Sequence, residues 1–539
     1  MFQKNDLVTL TIEDLSDSGE GIGRAEGFAL FVKDALPGDT VRARILKCKK
    51  SYGFARVEQI LTPSPDRCDP LCPEHRRCGG CQLQGLTYEK QLTFKQKKVR
   101  DSLTRIGGFA PDLIDAVTEP IAGMTEGPWR YRNKAQYPVG VDRSGHPVTG
   151  FYAGRTHDII PSKDCLLEPE ENREILEATL SCMKAEHVAP YDETTGKGIL
   201  RHILIRRGRA SGEVMVCLVI NARTLPKQEA FIRALKDLPG MKSISYSANT
   251  ERSNVILGSS AVTIWGEDAI TDSIRMRDAS KPDFPLTGRE LSFRISPLSF
   301  FQVNPFQMEK LYSIALSYAD VKNGETVWDL YCGIGTISLF LAAGVTGEDP
   351  RHLAGKVYGV EIIPEAIRDA RENAVRNGIS NAAFFVGAAE EVLPAFYEAG
   401  GDLPEQTAFG DPLGQSTPES RALHPDVIVV DPPRKGCDSS CLETILRMSP
   451  DRIVYVSCDP ASLARDLRIL CDGGYEIRRL RGVDMFPQTV HVETVVQLSK
   501  GNISSQNVRV EFSLEDMDMS RFQQGATYEQ IQAWVQEKY

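Results

Sequence analysis

From about residue 290 the chain alternates short apolar runs, each closed by polar residues, with helical stretches. The runs are Val327–Leu330, Val357–Val360, Val427–Val430 and Ile453–Val456, and Pro364–Asn377 is one of the intervening helices. Runs without polar/apolar alternation suit strands covered on both faces, and the helices between them supply the covers. The pattern therefore specifies an α/β fold, a doubly wound parallel sheet. Ligands of such sheets sit at the carboxyl ends of the strands, so the polar residues closing each run are the candidate site.

The chain before residue 290 has a different texture. Residues 1–61 alternate apolar and polar residues in short runs, with turns at Gly19, Gly21, Gly23, Gly27 and Pro37-Gly38-Asp39. That pattern predicts a small antiparallel OB-like β-barrel, a platform often used for RNA. Pro63 and Pro65 mark a linker into a cysteine-rich loop, and Tyr88 to about Ile106 reads as a basic amphipathic helix. Residues 127–285 are mostly strand-like, with a helix near Gln228–Leu238, and predict an α+β unit. The expected organisation is a barrel over 1–61, a central α+β domain over 62–289, a catalytic domain over 290–500 and an extension over 501–539. Residues 402–425, rich in Pro, Gly and Ser, read as a surface insertion. The extension has an acidic stretch, Glu511–Asp516, before a predicted helix over Tyr528–Lys538, and no role is assigned to it.

At 539 residues, 41% hydrophobic and 25% charged, the chain is too long for one core and has the balance of a soluble protein. No apolar run spans a bilayer, and Met1–Asp6 lacks the apolar core of a secretory signal, so a cytoplasmic protein without membrane contact is expected. No obligate protein partner is inferred. A net charge of -10 taken alone argues against nucleic acid. Phosphate binding responds to the local field, however, and four basic clusters lie in the first half: Arg42–Arg56, Lys90–Arg100, Arg130–Lys134 and Arg201–Arg209. Any one of them alone reads as a solvated surface; together they point to RNA.

The first strand-end motif is Asp329-Leu330-Tyr331-Cys332-Gly333-Ile334-Gly335-Thr336. Two glycines let the backbone approach a ligand, and the following helix offers its N-terminus. A dinucleotide site would place a third glycine where Ser338 stands. With Glu361 ending the next strand and Asp431-Pro432-Pro433 ending another, S-adenosylmethionine (SAM) is favoured over a nicotinamide. The second motif is Ser457-Cys458-Asp459-Pro460, also directly after a strand. Cys458 could be a buried structural thiol, but its strand-end position and polar neighbours favour a nucleophile. Glu493, opening a further strand, is a candidate base that on its own would pass for a surface carboxylate. Their pairing has a chemical reason. Carbon 5 of uracil attacks a methyl sulfonium only after a thiolate has added to C6, and a base must then remove the C5 proton. The target base must be flipped out or unpaired to reach such groups.

Thirteen cysteines in a cytoplasmic chain do not suggest a disulfide framework. Cys48, Cys182, Cys217 and Cys471 read as small core residues. Cys68, Cys72, Cys78 and Cys81 crowd one loop, and the spacing Cys72-x5-Cys78-x2-Cys81 suits an iron–sulfur cluster or zinc equally. The CxxxCxxC spacing of radical-SAM enzymes is absent.

Over residues 1–500 these motifs resemble, in order, those of the RNA uracil-C5 methyltransferase family, which modifies ribosomal or transfer RNA. The matching stretches are Gly19–Val41 (like a TRAM barrel), Cys72–Cys81, Phe300-Phe301-Gln302-Val303-Asn304, Asp329–Gly335, Asp431–Gly436, Ser457–Pro460 and His491-Val492-Glu493. The resemblance implies a class I SAM-methyltransferase domain behind a TRAM barrel and a central domain with an iron–sulfur loop. It implies Cys458 as nucleophile, Glu493 as base, and SAM contacts from Gln302, Tyr331, Thr336, Glu361 and Asp431. Near Ala388, where the family carries a polar contact, this chain has no polar side chain. A [4Fe-4S] cluster on Cys72, Cys78, Cys81 and Cys165 is implied, with Cys68 left over. The barrel and loop match the branch acting on 23S ribosomal RNA better than the transfer-RNA branch. Three rivals remain: an amino-group methyltransferase, a cytosine-C5 methyltransferase, and a non-catalytic iron–sulfur RNA-binding protein.

Overall fold

A computed structural model describes residues 2–154, 156–322, 324–344, 356–398 and 425–501. The proposed insertion at 402–425 (all but its last residue) and the extension helix lie outside the described residues. The first sixty residues form a closed barrel of five strands, Leu7–Leu15, Gly21–Ala25, Phe28–Lys33, Thr40–Cys48 and Tyr52–Thr62. Its period-two alternation is carried through: Leu30, Val32, Val41, Ala43 and Ile45 are fully buried inside, while their sequence neighbours point outward.

A seven-stranded sheet follows in the order Val262–Gly266, Met241–Ala248, Val214–Ile220, Leu200–Arg207, Lys134–Val141, Pro147–Tyr152, Ile159–Pro161. Its one parallel pair, Val214–Ile220 with Met241–Ala248, is joined through the helix Gln228–Leu235, as a parallel crossover requires. That helix and Asn172–Ala185 contribute side chains to its apolar core.

The third sheet has eight strands in the order Ala382–Val386, Lys356–Glu361, Thr326–Leu330, Val427–Val430, Arg452–Ser457, Glu493–Lys500, Tyr475–Val483, Thr118–Ala122. Val327, Val429 and Val454 enter the core on one face; Trp328, Leu330, Ile428 and Tyr455 enter the core on the other. Both faces are thus sealed, which is why the runs lack alternation, and each such aliphatic side chain contributes about 1.5–3 kcal/mol by leaving water. The order reverses at Thr326–Leu330 beside Val427–Val430, and a crevice for ligand opens where two such strands diverge. The last strand of this order, Thr118–Ala122, comes from far upstream and pairs in parallel with Tyr475–Val483.

The basic helix is observed at Tyr88–Arg105, with Val99 and Leu103 in the core of the eight-stranded sheet. Its cations are not a free basic face. Lys90 pairs with Asp66 (3.2 Å), Lys97 with Asp14 (2.8 Å) and Asp101 (2.6 Å), Lys98 with Asp17 (3.7 Å), and Arg100 with Asp115 (2.6 Å). Lys95 is wholly buried and bonds both the buried Asp484 carboxylate and, at 2.9 Å, the Phe486 carbonyl. Carboxylates, several of them distant in sequence, match its charges, in keeping with the solvated surface expected of this cluster taken alone. Among the described residues, no helix is long and apolar enough to cross a membrane.

Candidate active site

Four of the strand ends carry the chemistry. After Thr326–Leu330 the chain turns through Tyr331 (φ 65°), Gly333 (φ 55°) and Gly335 (φ 78°) into the helix Thr336–Ala343. A left-handed tyrosine is strained, and such strain gathers at functional turns. A Cβ added at Gly333 would meet nothing within 4 Å, so the bare turn borders open space. Glu361 ends the neighbouring strand and its carboxylate accepts from the amides of Gly333 (3.2 Å) and Ile363 (3.1 Å). The switch point is bridged by the Asp431 amide donating to the Leu330 carbonyl (3.4 Å).

Asp329 is fully buried; one oxygen accepts from the Ser338 hydroxyl while the other has no partner. Burial pushes its carboxyl up to about 7, and the nearby charges of Asp431 and Glu361 add to that. An orphaned buried acceptor beside a bare glycine turn fits a cationic ligand with hydrogens to donate. Sequence reasoning quoted Asp329 in its motif without giving it a role; the signal was a lone carboxylate inside an apolar strand. Gln302 is buried, and its side-chain amide has no protein partner among the described residues, which leaves it available to a ligand. The Thr336 hydroxyl, by contrast, already donates to Tyr312 (3.2 Å). Ala388 accepts the first amides of the next helix, so the backbone alone is available there.

Cys458 sits in the turn between the strand Arg452–Ser457 and the helix Pro460–Asp472. Asp459 caps that helix, accepting from the amides of Ala461 (3.0 Å) and Ser462 (2.9 Å). Ser457 pairs with Thr494 at the end of the antiparallel ladder, next to Cys458 on one strand and Glu493 on the other, and the Glu493 carboxylate acts on the Cys458 thiol. Glu493 is 3% exposed, and its side-chain carboxylate makes no hydrogen bond among the described residues. Burial pushes its carboxyl up to about 8; the charge of Asp431 raises it further and Arg434 opposes. Burial, then Glu493 and Asp431, push the Cys458 thiol up to about 12, again against Arg434. Asp431 keeps some exposed surface, yet the protein around it still pushes it up to about 7. Cys458, Glu493 and Asp431 are thus brought together, with Arg434 as the cation acting on two of them. Sequence reasoning placed Arg434 inside a motif but gave it no role.

The cysteine loop lies elsewhere. Each of Cys72, Cys78, Cys81 and Cys165 is within electrostatic reach of at least one other, and burial pushes Cys81 up to about 11. Cys81 and Cys165 pack beside Met124, Tyr131 and Leu167. Cys68 instead donates to the Gln84 carbonyl (3.4 Å). Among the described residues, no three His, Cys, Asp or Glu side chains are arranged to hold a metal ion. A separate cleft of about 530 Å³ is walled by arginines, Arg132, Arg173 and Arg209 among them, and by Glu170, Glu171 and Glu174; Arg130 pairs with Asp164 (2.6 Å) and Arg207 with Glu171 (3.0 Å).

The strand order, the bare glycine turn and the acidic strand ends define a class I methyltransferase built to take SAM. Residues 262–501 match the tRNA (uracil-5-)-methyltransferase family and residues 2–57 the TRAM domain. An uncharacterized RNA methyltransferase of Halalkalibacterium halodurans is 46% identical over 501 residues, 93% of this chain and 98% of its own. One from Clostridium acetobutylicum is 43% identical over 499 residues, 92% of this chain and 98% of its own. The tRNA (uracil-54, C5)-methyltransferase of Pyrococcus abyssi, solved with S-adenosyl-L-homocysteine, is 27% identical. It covers 91% of this chain and 99% of its own, at a TM-score of 0.64. The chain belongs to the RNA uracil-5-methyltransferase family, whose members are SAM-dependent enzymes.

Proposed function

We propose that the chain methylates C5 of a uridine in ribosomal RNA, with Cys458 as covalent nucleophile and Glu493 as base. The observation that carries this reading is the strand register that sets a nucleophile-type residue near a buried, unpartnered carboxylate. The Cys458 thiol gives its proton to solvent and its sulfur bonds to uracil C6, while the C5=C6 π pair attacks the methyl carbon. The methyl–sulfonium bond breaks and leaves S-adenosylhomocysteine. Glu493 then takes the C5 proton, the C5=C6 bond re-forms and the C6–sulfur bond breaks, restoring the thiolate. Arg434 and the positive sulfonium of the donor favour the thiolate that burial and the carboxylates of Glu493, Asp431 and Asp459 disfavour.

The SAM contacts read from the resemblance remain Gln302, Tyr331, Glu361 and Asp431, to which the free oxygen of Asp329 is added. Thr336 is the weakest of the set, since its proton is already engaged. The ribosomal reading rests on the barrel and cysteine loop occurring together. A transfer-RNA reading is favoured by the archaeal enzyme, a tRNA methyltransferase whose fold spans 91% of this chain. We further propose a [4Fe-4S] cluster on Cys72, Cys78, Cys81 and Cys165. Four thiols in a partly apolar site suit one, because a cluster spaces its thiolates more widely than a single zinc ion. Such a cluster supplies a crosslink between the loop and the central domain, and methyl transfer needs no electron from it.

Incubation with SAM and RNA containing 5-fluorouridine tests the mechanism. The fluorine blocks the last proton removal, so a covalent complex surviving denaturation is expected; its absence with the wild-type protein overturns the nucleophile. Nucleoside mapping of ribosomal and transfer RNA from cells with and without the gene separates the two acceptors. Anaerobic purification is expected to yield iron and sulfide, and zinc without iron would refute the cluster.

A further inference from the structure

The barrel carries three large rings that its interior does not use. Phe31 and Phe54 are direct partners on adjacent parallel strands, and Tyr52 lies two residues before Phe54 on the same face. The ring centroids are 5.7 Å apart for Phe31–Phe54, 5.6 Å for Phe31–Tyr52 and 5.6 Å for Tyr52–Phe54. All three are half-buried and belong to no core, whereas Leu30, Val32, Ile45 and Ala55 fill the barrel between them.

Cations border these rings. Lys33 pairs with Arg56 one step along the same face, and Lys47 pairs with Phe54 on the opposite side. Lys49 and Lys50 are exposed in the turn leading into Tyr52, where the Lys49 amide donates to the Tyr52 carbonyl (2.7 Å). Lys33, Lys47, Lys49 and Lys50 form no ion pair among the described residues. Glu58, on the same strand as Tyr52 and Phe54, is held by Arg44 (2.7 Å) and Arg56 (3.3 Å).

We infer that this outer face stacks unpaired bases of the acceptor RNA on Phe31, Tyr52 and Phe54, while the surrounding lysines take the phosphates. Half-buried rings on an outer face set among unmatched cations are an arrangement that holds single strands without reading their sequence, since every base has a π face. A patch serving only barrel stability gains nothing from unmatched lysines around it. The inference rests on RNA being the substrate, but not on which uridine is methylated or how.

A fluorescein-labelled oligouridylate and an RNA duplex of equal length are the probes, without SAM. Phe31→Leu combined with Phe54→Leu should weaken oligouridylate binding by about tenfold or more and leave duplex binding nearly unchanged. Equal loss on both probes, or no loss, overturns the platform. Because that pair of changes could loosen the barrel, Phe54→Trp keeps a ring and reports directly. Its emission should be quenched by oligouridylate, and an unquenched tryptophan overturns the inference. Lys33→Gln with Lys47→Gln should lower the slope of log affinity against log salt by about 1.4, two phosphate contacts on a single strand; an unchanged slope removes the lysines from the platform. Failure of uridine methylation itself would appear in the nucleoside map and leave these readings intact.

Discussion

The helix Tyr88–Arg105 and the strand-end site both concentrate charge, but they differ in how it is matched. Along the helix, six cations meet carboxylates supplied by the barrel, the segment leading into the helix, the helix itself, the following segment and the loop before the last strand. At the strand ends, Asp329, Asp431 and Glu493 crowd together with one cation, Arg434, acting on part of the group. Matched charge fixes where elements sit. Unmatched buried charge is costly to hold, and it persists where a ligand supplies the missing partner. A ligand with a sulfonium and an ammonium is such a partner, and the comparison can be broken by asking which residues respond to it.

The largest effect is expected at Cys458. Cys458→Ala should lower turnover by at least about four orders of magnitude and abolish the 5-fluorouridine adduct. SAM affinity, read by calorimetry, should stay close to wild type, because the proposed mechanism has the thiol contact the uracil ring and not the cofactor. A variant that loses SAM binding in parallel would place Cys458 in the cofactor pocket. Glu493→Gln should slow turnover by about 10² to 10⁴ while natural RNA becomes trapped on the protein, visible as a shifted band on a denaturing gel. Normal turnover in this variant would assign the base elsewhere.

The pH dependence has a definite sign. The folded-state pKa of Glu493, about 8, lies above its ordinary 4.5. Its contribution to stability is therefore fully present below pH 4.5 and is lost as pH rises through about 8. Asp329 and Asp431, both raised to about 7, behave alike and lose theirs as pH rises through about 7. The free protein should lose denaturant stability across this window. Glu493→Gln should lose less, and saturating SAM should restore part of the difference. A wild-type curve flat from pH 5 to 8 would contradict the unmatched state of these carboxylates.

The doubly wound sheet was legible because its strands are apolar throughout and end in polar residues; the barrel was legible from alternation and glycine turns. Cys458 and Glu493 were named before any geometry, yet their proximity needed the antiparallel register of two strands separated by a helix and a further strand. The roles of Asp329 and Arg434 were not visible, since each depends on which strand ends meet. The partners of the basic helix were hidden for the same reason. Lys95 sees Asp484 across 389 residues and Lys97 sees Asp14 across 83, distances that no local pattern reports. The edge strand Thr118–Ala122 was likewise hidden, because it joins a sheet most of whose sequence begins some two hundred residues later.

Two matched pairs on the same helix rank burial against exposure. Asp484→Leu strands the Lys95 ammonium in a dry interior and should cost about 3–5 kcal/mol in chemical denaturation. Lys95→Met added to Asp484→Leu should recover most of that loss, because no uncompensated charge then remains. Lys97→Gln is the smallest effect, although Lys97 makes two short ion pairs and ties the helix to the barrel. Its side chain is 45% exposed and that of Asp14 37%, so water already solvates both charges and salt screens them. The expected loss is about 0.5 kcal/mol, shrinking further at high salt. A loss at Lys97 as large as that at Asp484 would mean that matching by itself, wherever it occurs, holds the barrel to the helix. A small loss would mean that burial decides which matched pairs the fold depends on.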